Sequence, residues 1–130
     1  MIYPRREHII RINHQVIKST KGLFVPPDNL SNPNSLEWVL NTIQYPLSDL
    51  YETLESKASL LAWTIIRSHV FNDGNKRTGM VALETFLKIN GENIEATDDE
   101  IKEIALYVAD PEYKKSSKIN LISWIYEHKI

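Results

Sequence analysis

The segment that decides the fold reads His69-Val70-Phe71-Asn72-Asp73-Gly74-Asn75-Lys76-Arg77-Thr78-Gly79. Apolar residues at helical spacing run into this segment, and a second apolar helical pattern leaves it toward Asn90. Asp73-Gly74 is a common turn dipeptide, and between two strands it would predict a hairpin. Because a helical pattern follows instead, we predict a loop that enters the N-terminus of a helix.

Helical periodicity also dominates the rest of the chain, and glycine or proline interrupts it between the predicted helices. The apolar positions that carry the periodicity are Ile9, Ile12, Val16 and Ile17; Leu36, Val39, Leu40 and Ile43; Leu50, Leu54, Ala58, Leu61, Ala62, Ile65 and Ile66; Leu83, Phe86 and Leu87; Ile101, Ile104, Ala105 and Val108; and Leu121, Trp124 and Ile125. We predict an all-α fold, a compact bundle of about six helices with the active loop at the N-terminus of a central helix.

Helix ends can be predicted from capping residues. Ser48 or Asp49 is expected to cap the third helix, and Gly91 is expected to end the fourth. The sequence Thr97-Asp98-Asp99-Glu100 is a capping box for the fifth helix, and Asn120 is the expected cap of the last. Short strands are allowed at residues 23–25 and near Ile94, although neither stretch shows sustained alternation.

Composition narrows the class of protein. A chain of 130 residues fits one domain, residues 1–130, with a core of its own. The chain has no cysteine, which fits a reducing cytoplasm. The net charge of −2 argues against a nucleic-acid partner. The arginines at positions 5 and 6 precede no signal-like apolar segment, and we expect no membrane span.

Two residues of the central segment could carry chemistry. His69 follows Ile65 and Ile66 at helical spacing, so we expect it on the buried side of its helix, where a lone histidine is usually structural. Its proximity to Asp73 favours a general base instead, because a structural histidine needs no such neighbour. Phe71 is predicted to turn into the core and to fix the loop.

The end of the segment is suited to an anion. Gly74 can adopt a positive φ, so the amides of Gly74, Asn75 and Lys76 could converge on a phosphate. Lys76 and Arg77 oppose the helix dipole in the first turn, a cost that a bound polyphosphate would reverse. Asp73 would repel that anion unless Mg²⁺ lay between them.

Two other kinds of site fit poorly. Gly74-Asn75-Lys76 resembles the end of a Walker A loop, but the upstream glycine of that motif is missing. His69 and Asp73 could ligate zinc, but the remaining histidines are scattered along the chain and no H-E-x-x-H sequence is present. The segment therefore indicates a phosphate site of another kind.

The segment resembles a known signature. His69-x-Phe71-x-Asp73-Gly74-Asn75-Lys76-Arg77 is similar to the motif of the Doc (death on curing) toxins, a branch of the Fic superfamily. The broader Fic motif reads H-P-F-x-[DE]-G-N-G-R-x-x-R. Val70, Lys76 and Met80 stand at its proline, its last glycine and its second arginine. These three differences point to the Doc branch rather than the AMP-transferring branch.

The resemblance implies both roles and a reaction. His69 would be the general base for a Ser or Thr hydroxyl, Asp73 the Mg²⁺ ligand, and Gly74, Asn75, Lys76 and Arg77 the cradle for the phosphates of ATP. With Lys76 filling the space of the glycine and Met80 uncharged, ATP is expected to present its γ-phosphate. The implied function is a toxin kinase that acts on elongation factor Tu and inhibits translation. The alternatives are a Fic-type AMP-transferase and a non-catalytic anion-binding module.

The resemblance also implies regulation by a partner. Fic-type enzymes often carry an inhibitory [ST]-x-x-x-E-[GN] helix, and Ser48-x-x-x-Glu52 approaches that pattern, but Thr53 departs from it. We therefore expect no inhibitory helix of this kind within the chain. Doc-like toxins are held by a separate Phd-type antitoxin whose tail folds across the active groove. Candidate contacts for it, which could equally be core residues, are Phe24, Val25 and Trp38.

Overall fold

The computed structural model describes residues 1–113 and 116–130 of the chain. In these residues the all-α prediction is confirmed, and the α-helices number six. They are α1 (Arg6–Thr20), α2 (Pro33–Gln44), α3 (Leu54–Arg67), α4 (Asn75–Ile89), α5 (Asp98–Ala109) and α6 (Ser116–His128), with short 3₁₀ turns at Asp49–Tyr51 and Pro111–Tyr113. None of these helices is long and apolar enough to cross a membrane.

The short strands that the sequence allowed at residues 23–25 and near Ile94 do not form in the described part of the chain. Pairing of the β type is limited there to two isolated bridges, Leu30 with Phe71 and Ile94 with Lys129. The bridge at Leu30 lies beside the segment that the sequence singled out. It joins that segment to the loop between α1 and α2.

Helices α3 and α4 form the centre of the bundle. Most of α3 is buried, including its apolar residues Ala58, Leu61 and Ile65, which have no exposed surface. A Cβ added to Gly79 of α4 would lie 2.7 Å from Ile66 Cγ1 and 3.1 Å from the Ala62 carbonyl oxygen. Only glycine permits so close an approach of the two helices. This approach sets the position of the loop that connects them.

The predicted start of α3 is wrong by one turn. Thr53 is the N-cap, and its hydroxyl accepts a hydrogen bond from the Ser56 amide. Ser48 caps the preceding 3₁₀ turn, which contains Asp49, by accepting from the Leu50 amide. Leu50 is 73% exposed, so it does not belong to the buried stripe of α3. Thr53, directly before the helix, therefore caps α3 in place of Ser48 or Asp49.

Most other predicted helix ends are confirmed. Gly91 has φ +85° and follows the C-cap of α4. Thr97 and Glu100 form the predicted capping box of α5. The expected cap at Asn120 is wrong, because α6 begins four residues earlier, at Ser116.

The C-terminal end of α5 is fixed to α3 by Arg67. The Arg67 guanidinium donates to the carbonyl oxygens of Val108, at 3.3 Å, and Asp110, at 3.1 Å. These bonds satisfy carbonyls that have no partner within the helix. As a result, Ala109 is held beside the loop between α3 and α4.

Candidate active site

His69 lies just beyond the end of α3. The helix ends at the C-cap Ser68, and the Val70 amide donates to the Ile65 carbonyl at 3.4 Å, as in a Schellman motif. His69 occupies the left-handed position of that motif, with φ +46°, where glycine is usual. Its side chain is exposed, so the prediction of a buried position is wrong. The turn directs the imidazole away from the core and toward solvent.

Phe71 anchors the loop as predicted. Its side chain is 1% exposed, and the preceding Val70 is fully buried. The Asn75 side chain accepts from the Phe71 amide at 2.9 Å and donates to the Phe71 carbonyl at 2.8 Å. Asn75 therefore closes the loop through its side chain. Its backbone amide is the first amide of α4.

The Asp73 carboxylate is held by backbone amides. One oxygen accepts from the Leu23 amide and the other from the Gly74 amide, each at 2.8 Å. A Cβ on Gly22 would lie 2.5 Å from Asp73 Oδ2, so a side chain at position 22 would displace the carboxylate. The loop between α1 and α2 thus fixes the orientation of Asp73.

The N-terminus of α4 is open. Its N-cap Gly74 has φ +77° and provides no side-chain cap. The Thr78 amide donates to the Gly74 carbonyl at 2.9 Å. The amides of residues 75–77 therefore precede the first intrahelical bond. Since the Gly74 amide donates to Asp73, the prediction that it faces the anion is wrong. Lys76 and Arg77 are exposed at this end.

All six predicted site residues line one groove of about 490 Å³, called here the His69 groove. They are His69, Asp73, Gly74, Asn75, Lys76 and Arg77. Thr20 at the end of α1, Gly22 just beyond it and Ala109 of α5 also line the groove. The groove combines a basic side chain, a carboxylate, two cations and free helix amides, which is suitable chemistry for a polyphosphate.

Asp73 fits a metal that arrives with phosphate. Among the described residues, no group of three or more His, Asp or Glu side chains could hold a metal ion alone. Mg²⁺ commonly uses one or two carboxylates together with substrate phosphates and waters. Each Asp73 oxygen accepts one hydrogen bond and retains a second lone pair.

Met80 lies outside the His69 groove. It is 1% exposed and lines a second groove of about 560 Å³ between α4 and α5. Lys76 and Arg77 line both grooves. Met80 therefore shares the second groove with Arg77 but contributes no side chain to the His69 groove.

Sequence reasoning missed the residues that support the loop. Asn13 and Asn29 are both fully buried and hydrogen-bonded to it or to each other. Their spacing in sequence gives no sign of this role, because the contacts span up to 65 residues. The three candidate partner contacts proved to be exposed rather than core residues, at 39%, 44% and 53% of their surface: Phe24, Val25 and Trp38.

Comparison with known proteins agrees with this geometry. The model of the Fic/DOC family matches residues 3–87, which are 85 of the 130 residues. Toxin Doc of Mycolicibacterium smegmatis is 45% identical over 51 residues. That alignment covers 39% of this chain and 39% of the relative, so it spans about two fifths of the protein that it matches.

Proposed function

This chain belongs to the Fic/Doc family, and from that membership we propose that it is the toxin of a toxin–antitoxin pair. Its activity would be that of an ATP-dependent protein kinase in the cytoplasm. It would transfer the γ-phosphate to a Ser or Thr hydroxyl of a translation factor of the elongation factor Tu class. The observation that carries the proposal is the collection of His69, Asp73, Lys76 and Arg77 in one groove at the open end of α4.

The exposed His69 is suited to a protein substrate. A hydroxyl on another protein can reach an imidazole at the surface, whereas a buried base would exclude it. In the proposed step the hydroxyl oxygen bonds to the γ-phosphorus, and the bond from that phosphorus to the β–γ bridging oxygen breaks. ADP leaves, and the hydroxyl proton passes to a ring nitrogen of His69.

The open end of α4 would hold the transferred phosphate. The amides of residues 75–77 point out of the helix end, and Lys76 and Arg77 add two positive charges there. Asp73 would hold Mg²⁺, which when bound offsets negative charge on the phosphates. Lys76 stands where AMP-transferring relatives have the glycine, which favours transfer of the γ-phosphate over transfer of AMP.

The proposed partner is an antitoxin of the Phd type. Leu23, Phe24 and Val25 are 58%, 39% and 44% exposed, and the Leu23 amide contacts the Asp73 carboxylate. Such apolar exposure beside a catalytic groove suits a protein that covers both. The name of the matched relative supports a toxin.

Two separately labelled forms of ATP test the reaction. The protein is incubated with Mg²⁺, purified elongation factor Tu and ATP labelled at either the α- or the γ-phosphate. We expect γ-label on a Ser or Thr of the factor, no α-label, and neither label with His69→Ala. Transfer of α-label would identify an AMP-transferase instead, and a factor free of both labels would remove it as the substrate.

Lys76→Gly tests the reason for proposing γ-phosphate transfer rather than AMP transfer. This variant restores the glycine of the broader Fic motif without touching the packed side of α4. We expect γ-transfer to fall, because the change removes one cation from the groove. Undiminished γ-transfer would show that Lys76 does not select the reaction.

A further inference from the structure

Two buried asparagines connect three parts of the chain behind the His69 groove. Asn13 lies on α1 and Asn29 lies in the loop between α1 and α2, and neither has exposed surface. Asn29 Nδ2 donates to Asn13 Oδ1 at 3.0 Å. Buried amides are costly unless they are hydrogen-bonded, so this pair constrains both segments.

Asn13 reaches the loop that carries Asp73. Its Nδ2 donates to the Asp73 carbonyl at 2.9 Å and to Thr78 Oγ1 at 3.1 Å. The first bond holds the main chain of Asp73, and the second holds the first turn of α4. A Cβ on Gly74 would lie 3.4 Å from the same Nδ2, which shows how closely Asn13 packs under the turn.

Asn29 reaches the other half of the loop. Its carbonyl accepts from the Asn72 amide at 2.9 Å and from Asn72 Nδ2 at 3.1 Å. Its Oδ1 accepts from the Val25 amide at 2.8 Å. Asn29 has φ +60°, a conformation that asparagine tolerates better than most residues.

We propose that Asn13 and Asn29 are positioning residues that set the place of Asp73 and of the first turn of α4. This inference rests on the proposed function, since it assigns Asp73 to ATP–Mg²⁺. The side-chain bonds fix the orientation of the two amides, because Asn13 must present its nitrogen to Asp73 and its oxygen to Asn29. The Asp73 side chain is fixed separately, by Leu23 and Gly74. The amide pair supplies the matching restraint on its main chain.

The main test is Asn13→Leu, which keeps approximate volume and removes both the donor and the acceptor. Its control is Asn90→Leu at the opposite end of α4. The Asn90 side chain accepts from the Ile2 amide at 2.7 Å and donates to the carbonyls of Ile2 and Phe86, each at 2.9 Å. Both substitutions therefore remove an amide that crosslinks distant segments, but only the first lies under the loop.

A second variant covers failure of Asn13→Leu to fold. Asn29→Asp keeps the shape, the acceptor for Val25 and tolerance of a positive φ. It places an oxygen where Nδ2 now faces Asn13 Oδ1. The Asn13 amide must then turn its nitrogen away from Asp73 to relieve the repulsion. The loop loses its donor without loss of side-chain volume.

Two measurements separate positioning from general stability. Amide nitrogen–proton spectra without nucleotide should show a shifted Gly74 signal in Asn13→Leu and Asn29→Asp, but not in Asn90→Leu. Calorimetry should show that the Mg²⁺ concentration needed for half-maximal ATP binding rises roughly 10–100-fold in the first two variants only. Loss of a group that hydrogen-bonds to a metal ligand typically weakens metal binding by this factor. Label transfer should fall in parallel.

Unchanged Gly74 signals and an unchanged Mg²⁺ requirement in folded variants would show that Asn13 and Asn29 only crosslink the fold and do not position Asp73. Equal changes in Asn90→Leu would do the same. If the unaltered protein transfers no label, the proposed function fails, but the Gly74 signal still decides whether the two amides position the loop.

Discussion

Helices α4 and α5 begin in opposite ways. At α5, the Thr97 hydroxyl and the Glu100 carboxylate form a complete capping box, and Asp98, Asp99 and Glu100 place negative charge in the first turn. This arrangement satisfies free amides and complements the helix dipole. At α4, the N-cap is a left-handed Gly74 with no side-chain cap, and the first turn has no acidic residue.

The difference places an unfavourable helix start at the proposed phosphate-binding surface. Lys76 and Arg77 oppose the dipole of α4, so that end is not built for the stability of its own helix. The N-terminal end of α4 is instead held by the close packing at Gly79 and by the hydrogen bonds of Asn75 and Asn13. Departures from local rules that are supported by neighbouring structure tend to mark functional sites.

The largest expected effect is a loss of activity at the groove beside the start of α4. His69→Ala should reduce phosphate transfer by about 10²–10⁴, the usual range for loss of a general base. Stability should change little, because the His69 side chain is exposed and makes no packing contribution to the core. Transfer to elongation factor Tu and thermal unfolding are measured on the same preparation.

His8→Ala is the matched control, since His8 is also exposed but lies on α1 outside the groove. It should transfer phosphate at the unaltered rate. A His69→Ala protein that retains full activity would remove the general base from its assigned position. The open end of α4 would then be a binding surface alone.

Phe71→Ala tests the anchor beneath the open end. Phe71 is 1% exposed, so loss of its ring should lower the free energy of unfolding by roughly 3–5 kcal/mol. Denaturant titration gives the value, and Phe24→Ala serves as the control because Phe24 is 39% exposed. Equal losses from the two changes would mean that the loop does not depend on a buried anchor.

Local sequence patterns predicted much of this architecture. The helices, the Thr97–Glu100 box and the buried Phe71 follow from spacing within a few residues of each other. The six groove residues were predictable because they lie in one short segment. Local patterns suffice wherever the interaction stays inside a helix or its adjoining turn.

The remaining features depend on contacts between distant segments. Gly22 approaches Asp73 across about 50 residues, and no turn pattern at Gly22 indicates that contact. His69 is exposed because it adopts the left-handed conformation just beyond the end of α3. Helical periodicity does not predict such a conformation. The motif position of Met80 gives no sign of its burial, which depends on the packing of α4 beside α5.

Charge exchange at equivalent positions sharpens the comparison further. Lys76 and Asp99 are each the second residue of their helix, α4 and α5. Lys76→Glu should leave α4 slightly more stable, by about 0.3–1 kcal/mol, because the new charge complements the dipole. The same variant should lose ATP binding, since it places a carboxylate at the proposed phosphate site.

Asp99→Lys is the reciprocal change. It should reduce stability by a similar amount, about 0.3–1 kcal/mol, and leave ATP binding unchanged. Chemical denaturation and calorimetric titration with ATP and Mg²⁺ measure the two quantities. A Lys76→Glu protein that binds ATP normally would show that the open end of α4 does not receive phosphate.

The smallest effect concerns the capped end of α5, which His128 joins to α6. His128 Nε2 lies 2.8 Å from Glu100 Oε2, and its Nδ1 lies 2.8 Å from the Trp124 carbonyl oxygen. Both partners are acceptors, so both ring nitrogens donate when the ring is protonated. Burial alone would lower the pKa of His128, but the bonds to Glu100 and Trp124 outweigh it and raise that pKa above 6.5.

Glu100 responds in the opposite direction. The backbone hydrogen bond from Thr97, followed by the bond with His128, lowers the pKa of Glu100 from 4.5 to about 2. Its contribution to stability is therefore complete above pH 4.5 and is lost as the pH falls toward 2. The contribution of His128 is complete below pH 6.5 and is lost as the pH rises through its raised pKa.

Both contributions coincide between pH 4.5 and 6.5, so that window should hold the largest stabilisation by this pair. We expect the difference in melting temperature between the unaltered protein and His128→Leu to be greatest there and to decline on either side. Because the pair lies outside the His69 groove, ATP binding at fixed pH should not change. A difference that stays constant from pH 4 to 9 would mean that the pair does not link α5 to α6 through charge. A parallel loss of ATP binding would instead tie the capped end of α5 to the open end of α4, and the functional separation of the two ends would fail.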